Sequence, residues 1–125
     1  MENPEVQKER RRDKRYRVKD GTYAVLGAPA NKLGQIVDIS MSGMAFTYLA
    51  DNDPIGTAEA LDILANQGIC VEKIPYTTVT DVVVPNETPF STIIMRRHCI
   101  KFNELTTETK TKIQELIGVY GYHQA

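Results

Sequence analysis

The sequence predicts a mainly β fold: a six- to seven-stranded antiparallel barrel with a C-terminal α-helix and a flexible basic N-terminal arm. Short β-branched and aromatic runs recur from Tyr16 onward, with Gly, Pro and Asn clusters between them. One stretch near the end switches to helical spacing. Residues 1–14 hold a single aliphatic side chain, Val6, apart from Met1, so they cannot form a packed element alone.

The first clear strand, Tyr23–Leu26, stops at the turn-rich Gly27–Asn31. Leu33–Ile39 follows, then a break at Ser40–Gly43, then Met44–Leu49, which ends at Asp51-Asn52-Asp53-Pro54. Ala58–Leu64 fits a helix or a strand on pattern alone. The hairpin-like Asn66-Gln67-Gly68 between it and Ile69–Ile74 favours a strand. Thr77–Val84 is strongly β-prone and is closed by Pro85-Asn86-Glu87, and Thr92–Arg96 and Cys99–Phe102 add further strands. The helix is expected at about 106–120. Ile113, Leu116, Ile117 and Tyr120 share one face, Thr106 or Thr107 can cap the start, and Gly118 and Gly121 mark a fraying end. That apolar face can plug the barrel or pair with a second chain, so a homodimer stays open. The domain division is an arm at 1–15 and a single barrel domain at 16–125.

The 125 residues suit one domain, long enough to bury roughly two thirds of its unfolded surface without disulfides or metal. No apolar run spans a bilayer and the start lacks a signal peptide's apolar stretch, so a cytoplasmic protein without membrane attachment is expected. Cys70 and Cys99 have no metal-ligand spacing and read as buried small hydrophobes. The net charge of -1 conceals a segregation: residues 1–19 carry eight basic against four acidic side chains, a net of +4, and the remainder nets -5. A basic arm on an acidic body suggests an anionic partner for the arm.

Catalysis is hard to assemble from these residues. His123 lies in the terminal Tyr122-His123-Gln124-Ala125. His98 and Cys99 are strand neighbours whose side chains point to opposite faces. No phosphate loop, HExxH or G-x-S-x-G pattern appears. The expectation is a protein that is not an enzyme, with no metal and no cofactor.

The informative motifs are Arg11-Arg12-Asp13-Lys14-Arg15, which reads R-x-x-x-R, and Asp38-Ile39-Ser40-Met41-Ser42-Gly43, which reads D-x-S-x-x-G. Both in this order, some two dozen residues apart and followed by a β-rich body and a helix, resemble the PilZ domain, the bacterial receptor module for cyclic di-GMP. The likeness runs from about Glu9 to Ile117. It implies a PilZ-type barrel whose ligand is cyclic di-GMP. By the family pattern, Arg11 and Arg15 contact phosphate and guanine, and Arg10 adds a stacking guanidinium. Arginine suits these tasks because its fork pairs with phosphate or guanine O6 and N7 and its flat face stacks on a purine.

The resemblance likewise assigns Asp38 to guanine N1–H and N2–H₂, a donor pair that adenine does not offer. Ser40 bonds the base or its neighbour, and Gly43 allows a positive φ or a close backbone approach. The alternative for Asp38 and Ser40 is a strand-end turn that satisfies its own backbone. An arginine directly before R-x-x-x-R resembles family members that take an intercalated ligand dimer, which implies two ligands per protomer. The arm is expected to order over the barrel on binding and to signal to a protein partner in trans, with motility, biofilm or polysaccharide control implied by the family. Two other readings stay open: a small barrel using its arm on single-stranded nucleic acid, against which the acidic body speaks, and a PilZ-like interaction module without ligand. Any part played by Arg96, Arg97 and His98 is open at this stage.

Overall fold

The computed structural model describes residues 14–27, 32–50, 60–66, 68, 70–85 and 93–124. Its elements are β1 (Tyr16–Val18), β2 (Thr22–Leu26), β3 (Lys32–Ile39), β4 (Gly43–Ala50), β5 (Ala60–Ala65), β6 (Cys70–Val83), β7 (Ile94–Phe102), α1 (Thr107–Tyr120) and β8 (Gly121–Gln124). Strands follow the order β2-β5-β6-β7-β4-β3, and β2 pairs again with β3 to close a six-stranded antiparallel barrel. One edge of β3 is shared between two neighbours. Residues 32–35 pair with β2, while Asp38 and Ile39 pair with β1, which in turn carries β8.

Alternation builds the core. Ala24 and Leu26 on β2, Met44, Phe46 and Tyr48 on β4, Leu61 and Ile63 on β5, and Ile100 and Phe102 on β7 are all buried. On α1, Ile113 and Leu116 are fully buried in the same core cluster and Tyr120 nearly so, and these side chains pack against the barrel, with Ile117 partly buried beside them. Thr106 is the N-cap, its hydroxyl accepting from the Thr109 N–H at 3.1 Å.

Two expected breaks are absent. In place of the separate runs expected at 69–74 and 77–84, Cys70–Val83 form one strand, β6, which carries Pro75 within it; Ile69 lies outside the described residues. The strand changes partner there: residues up to Pro75 pair with β5, and Tyr76 onward pairs with β7. The switch is eased by Lys73 at φ 54, whose N–H donates to the Asp62 carboxylate at 2.8 Å, and the Pro75 carbonyl accepts from the Asn103 N–H at 2.9 Å. The two strands expected at 92–96 and 99–102 are likewise represented by a single element, β7 (Ile94–Phe102), while Thr92 lies outside the described residues. Gly121 begins a strand, β8, rather than a frayed end, and Lys19 N–H donates to the Tyr120 carbonyl at 3.0 Å where that strand meets β1.

Candidate functional site

Regular alternation from Ile36, which faces the core beside Phe46, would turn Asp38 inward as well. A β-bulge between Ile36 and Asp38 prevents this: the extra residue, Val37, brings Asp38 opposite Ala45 and onto the outer wall. Arg97, opposite Thr47 on β7, faces the same side. Arg15 reaches the place from just before β1, held by the pairs Tyr16 to Ile39 and Arg17 to Asp38.

These residues border a cleft of about 690 Å³ that also includes Arg17, Gln35 and Tyr122. Its size is that of a small-molecule site, typically about 300–1,000 Å³. Its charged lining comprises Arg15, Arg17 and Arg97 against Asp20 and Asp38, an excess of one positive charge. The Asp20 carboxylate accepts from the Gln35 amide at 3.1 Å.

Asp38 is the most buried charge in this lining, at 5% exposure. Its Oδ2 accepts from Arg97 Nη2 at 3.2 Å. Its Oδ1 lies 3.5 Å from Arg15 Nη1 and takes no hydrogen bond, although it is buried. A carboxylate oxygen shut away from water without a donor costs about 1–3 kcal/mol. It is therefore an acceptor that an incoming N–H group would satisfy.

The D-x-S-x-x-G turn sets the end of β3. Ser40 is buried, and its hydroxyl accepts from the backbone N–H groups of Ser42 and Gly43, both at 3.1 Å. Ser40 N–H donates to the Gly43 carbonyl at 2.8 Å. At Gly43 the requirement is close approach rather than a positive φ: a Cβ would lie 2.3 Å from the Ile100 carbonyl oxygen of β7. Gly43→Ala is expected to lower stability by about 2 kcal/mol, because the obstructing atom is backbone and must be pushed aside. Thermal unfolding reads this, and an unchanged melting temperature would show that the two strands separate easily.

Arg10 and Arg11 lie outside the described residues. Of the other positions expected from sequence, Arg15 and Asp38 come together, and Ser40 and Gly43 form the turn beside them. Arg17 and Tyr122 were missed, and Arg97, whose part the sequence left open, borders the cleft with them. Strand parity held the signal for Arg97: with Ile100 inward, His98 and Arg96 share its face and Arg97 takes the other.

The inward pair enters a separate polar network. Asp81 on β6 accepts from Tyr48 Oη at 2.6 Å, pairs with His98 Nδ1 at 2.9 Å and is bonded by Arg96 Nε. His98 Nε2 lies 3.0 Å from the Thr78 hydroxyl, and its ring is 5.2 Å from that of Phe46. Burial alone would raise the Asp81 carboxyl, but hydrogen bonds from Tyr48, Arg96 and His98 outweigh it and hold the group below its ordinary value. Arg96 is correspondingly pushed up by its bond to Asp81.

The two thiols are free and only partly buried, and desolvation, followed by Glu72 and Asp62, pushes Cys70 up and away from the reactive thiolate. Among the described residues, no three His, Cys, Asp or Glu side chains cluster as a metal site, and no helix is long and apolar enough to cross a membrane.

The closed barrel, its capping helix and the outer β3–β4 turn make this a PilZ-type fold. Two solved structures share it. MrkH, described as a cyclic di-GMP-dependent transcription regulatory factor, is similar at a TM-score of 0.63 and 18% identity over 87% of this chain. The PilZ domain of YcgR from Escherichia coli, solved with cyclic di-GMP, is similar at 0.63 and 17% identity over 88% of this chain and 90% of its own. This chain spans 50% of the MrkH chain. Neither a family model nor a curated protein matches the sequence.

Proposed function

We propose that this protein is a non-enzymatic receptor for cyclic di-GMP, bound in the cleft on the outer wall of β3. The observation that carries the reading is Asp38: buried, flanked by Arg15 and Arg97, and left with one open acceptor oxygen. A guanine edge supplies the N1–H and N2–H₂ donors such a carboxylate lacks, and the arginines supply cations for the phosphodiesters. The fold supports the same reading, since one solved relative in shape holds this ligand.

Asp38 pairs with Arg97, so binding exchanges that partner for guanine and frees Arg97 for a phosphate or base. Arg10 and Arg11 complete the cationic side from the arm. Ser40 and Gly43 act by shape, holding the turn beside Asp38. The signal passes to a protein partner in trans once the arm has closed over the barrel.

Calorimetry on the full chain, with a variant beginning at Tyr16 alongside, tests the reading. The full chain is expected to bind cyclic di-GMP and to ignore cyclic di-AMP, and the shortened chain to lose most of its affinity. Equal binding of both dinucleotides would overturn the guanine assignment at Asp38. Undiminished binding by the shortened chain would overturn the part given to the arm.

A further inference from the structure

We infer that Tyr122 is the stacking platform for one guanine of the ligand, a contact supplied by the strand that follows the helix and lying outside both arginine and aspartate motifs. The inference rests on the cyclic di-GMP reading and adds an element to it. Tyr122 belongs to β8, which is drawn to the site by pairing with β1, Arg17 standing opposite His123 and Val18 opposite Gly121. That pairing brings the ring to the same cleft as Arg15, Arg97 and Asp38.

Tyr122 is the one aromatic side chain among the described residues that border the cleft, and it is 59% exposed. More than half of its surface is thus accessible to solvent beside a buried carboxylate whose Oδ1 has no hydrogen-bond donor. A purine has an edge that bonds and a face that must be covered. Asp38 serves the edge, and Tyr122 offers the face a rigid surface at small entropic cost. The arginines, drawn to phosphate, are left to neutralise charge.

The chain contains no tryptophan, which gives a direct readout. Tyr122→Trp installs the sole indole at the proposed contact, and its emission is expected to be quenched by cyclic di-GMP over the concentration range in which calorimetry shows binding. Val119→Trp, on α1 and 41% exposed but not bordering the cleft, serves as the control and should keep its emission. Tyr122→Ala is expected to weaken binding about tenfold or more, as loss of a base-stacking aromatic does, while Tyr122→Phe retains affinity within about threefold.

If the unmodified protein binds but Tyr122→Ala binds equally well and the Tyr122→Trp emission is unmoved, the inference fails and the receptor reading stands. Absence of binding heat from the unmodified protein would instead overturn the receptor reading itself. Should Tyr122→Ala unfold, the Phe and Trp variants still decide the matter.

Discussion

Replacing Asp38 by alanine is expected to weaken cyclic di-GMP binding at least about a hundredfold while leaving the barrel folded. A hydrogen bond to a charged acceptor contributes about 1.5–3 kcal/mol. Two such bonds to one guanine edge therefore amount to about 3 kcal/mol or more, a factor of at least about a hundred in affinity. The fold survives because the cations left behind are not sealed in. Arg15 and Arg97 side chains are 33% and 42% exposed, so water replaces the lost carboxylate. Asp38→Asn is a sharper probe, since it keeps one acceptor but turns an NH₂ group toward guanine's own donors. Its affinity should fall between the two. Calorimetry at matched conditions checks both, and an Asp38→Ala protein that binds normally would mean that guanine is read elsewhere.

The largest effect on stability is expected from Asp81→Ala. This change strips acceptors from Tyr48 and His98, which are 1% and 2% exposed, and removes the counter-ion of Arg96. Each hydrogen bond taken from a buried donor costs about 1–3 kcal/mol, so a total near 3 kcal/mol and a fall of about 10 °C in melting temperature are anticipated. An acid titration gives an independent check. Asp81 binds its proton less readily in the folded chain than in the unfolded one, whose value lies near 3.8. Its stabilising contribution is thus complete above that value and disappears as the pH falls through the lower folded value. Below both, the unmodified protein and Asp81→Ala should differ less in stability than they do at neutral pH. A gap that stayed constant down to strong acid would show that the carboxylate charge is not what the network holds. Cyclic di-GMP binding near neutrality should change little, because Asp81 faces the interior and not the cleft.

The sequence made the barrel legible because its strands are half-buried, and period-two alternation then marks both their extent and their faces. It was misleading where one strand serves two neighbours. Two runs, 69–74 and 77–84, read as separate strands, yet β6 runs through Pro75 between them, because the strand exchanges β5 for β7 at that point. It was silent about β8, since Gly121–Gln124 has no apolar alternation and is a strand only because β1 lies beside it.

The site divides in the same way. Arg15 and Asp38 were identifiable as a motif pair, but the outward turn of Asp38 depends on the bulge at Val37, which leaves no mark in residue types. Arg97 came from across the sheet and Tyr122 from beyond the helix, contacts of long sequence separation that short spacing rules do not reach.

A titration of the ¹⁵N-labelled full chain with cyclic di-GMP, followed by amide NMR, tests the central claim most directly. The cleft account predicts saturable shifts concentrated at Arg15, Arg17, Asp38, Arg97 and Tyr122, with the β5–β6 side of the barrel unmoved. An unchanged spectrum at excess ligand, or shifts centred on β5 and β6, would contradict it.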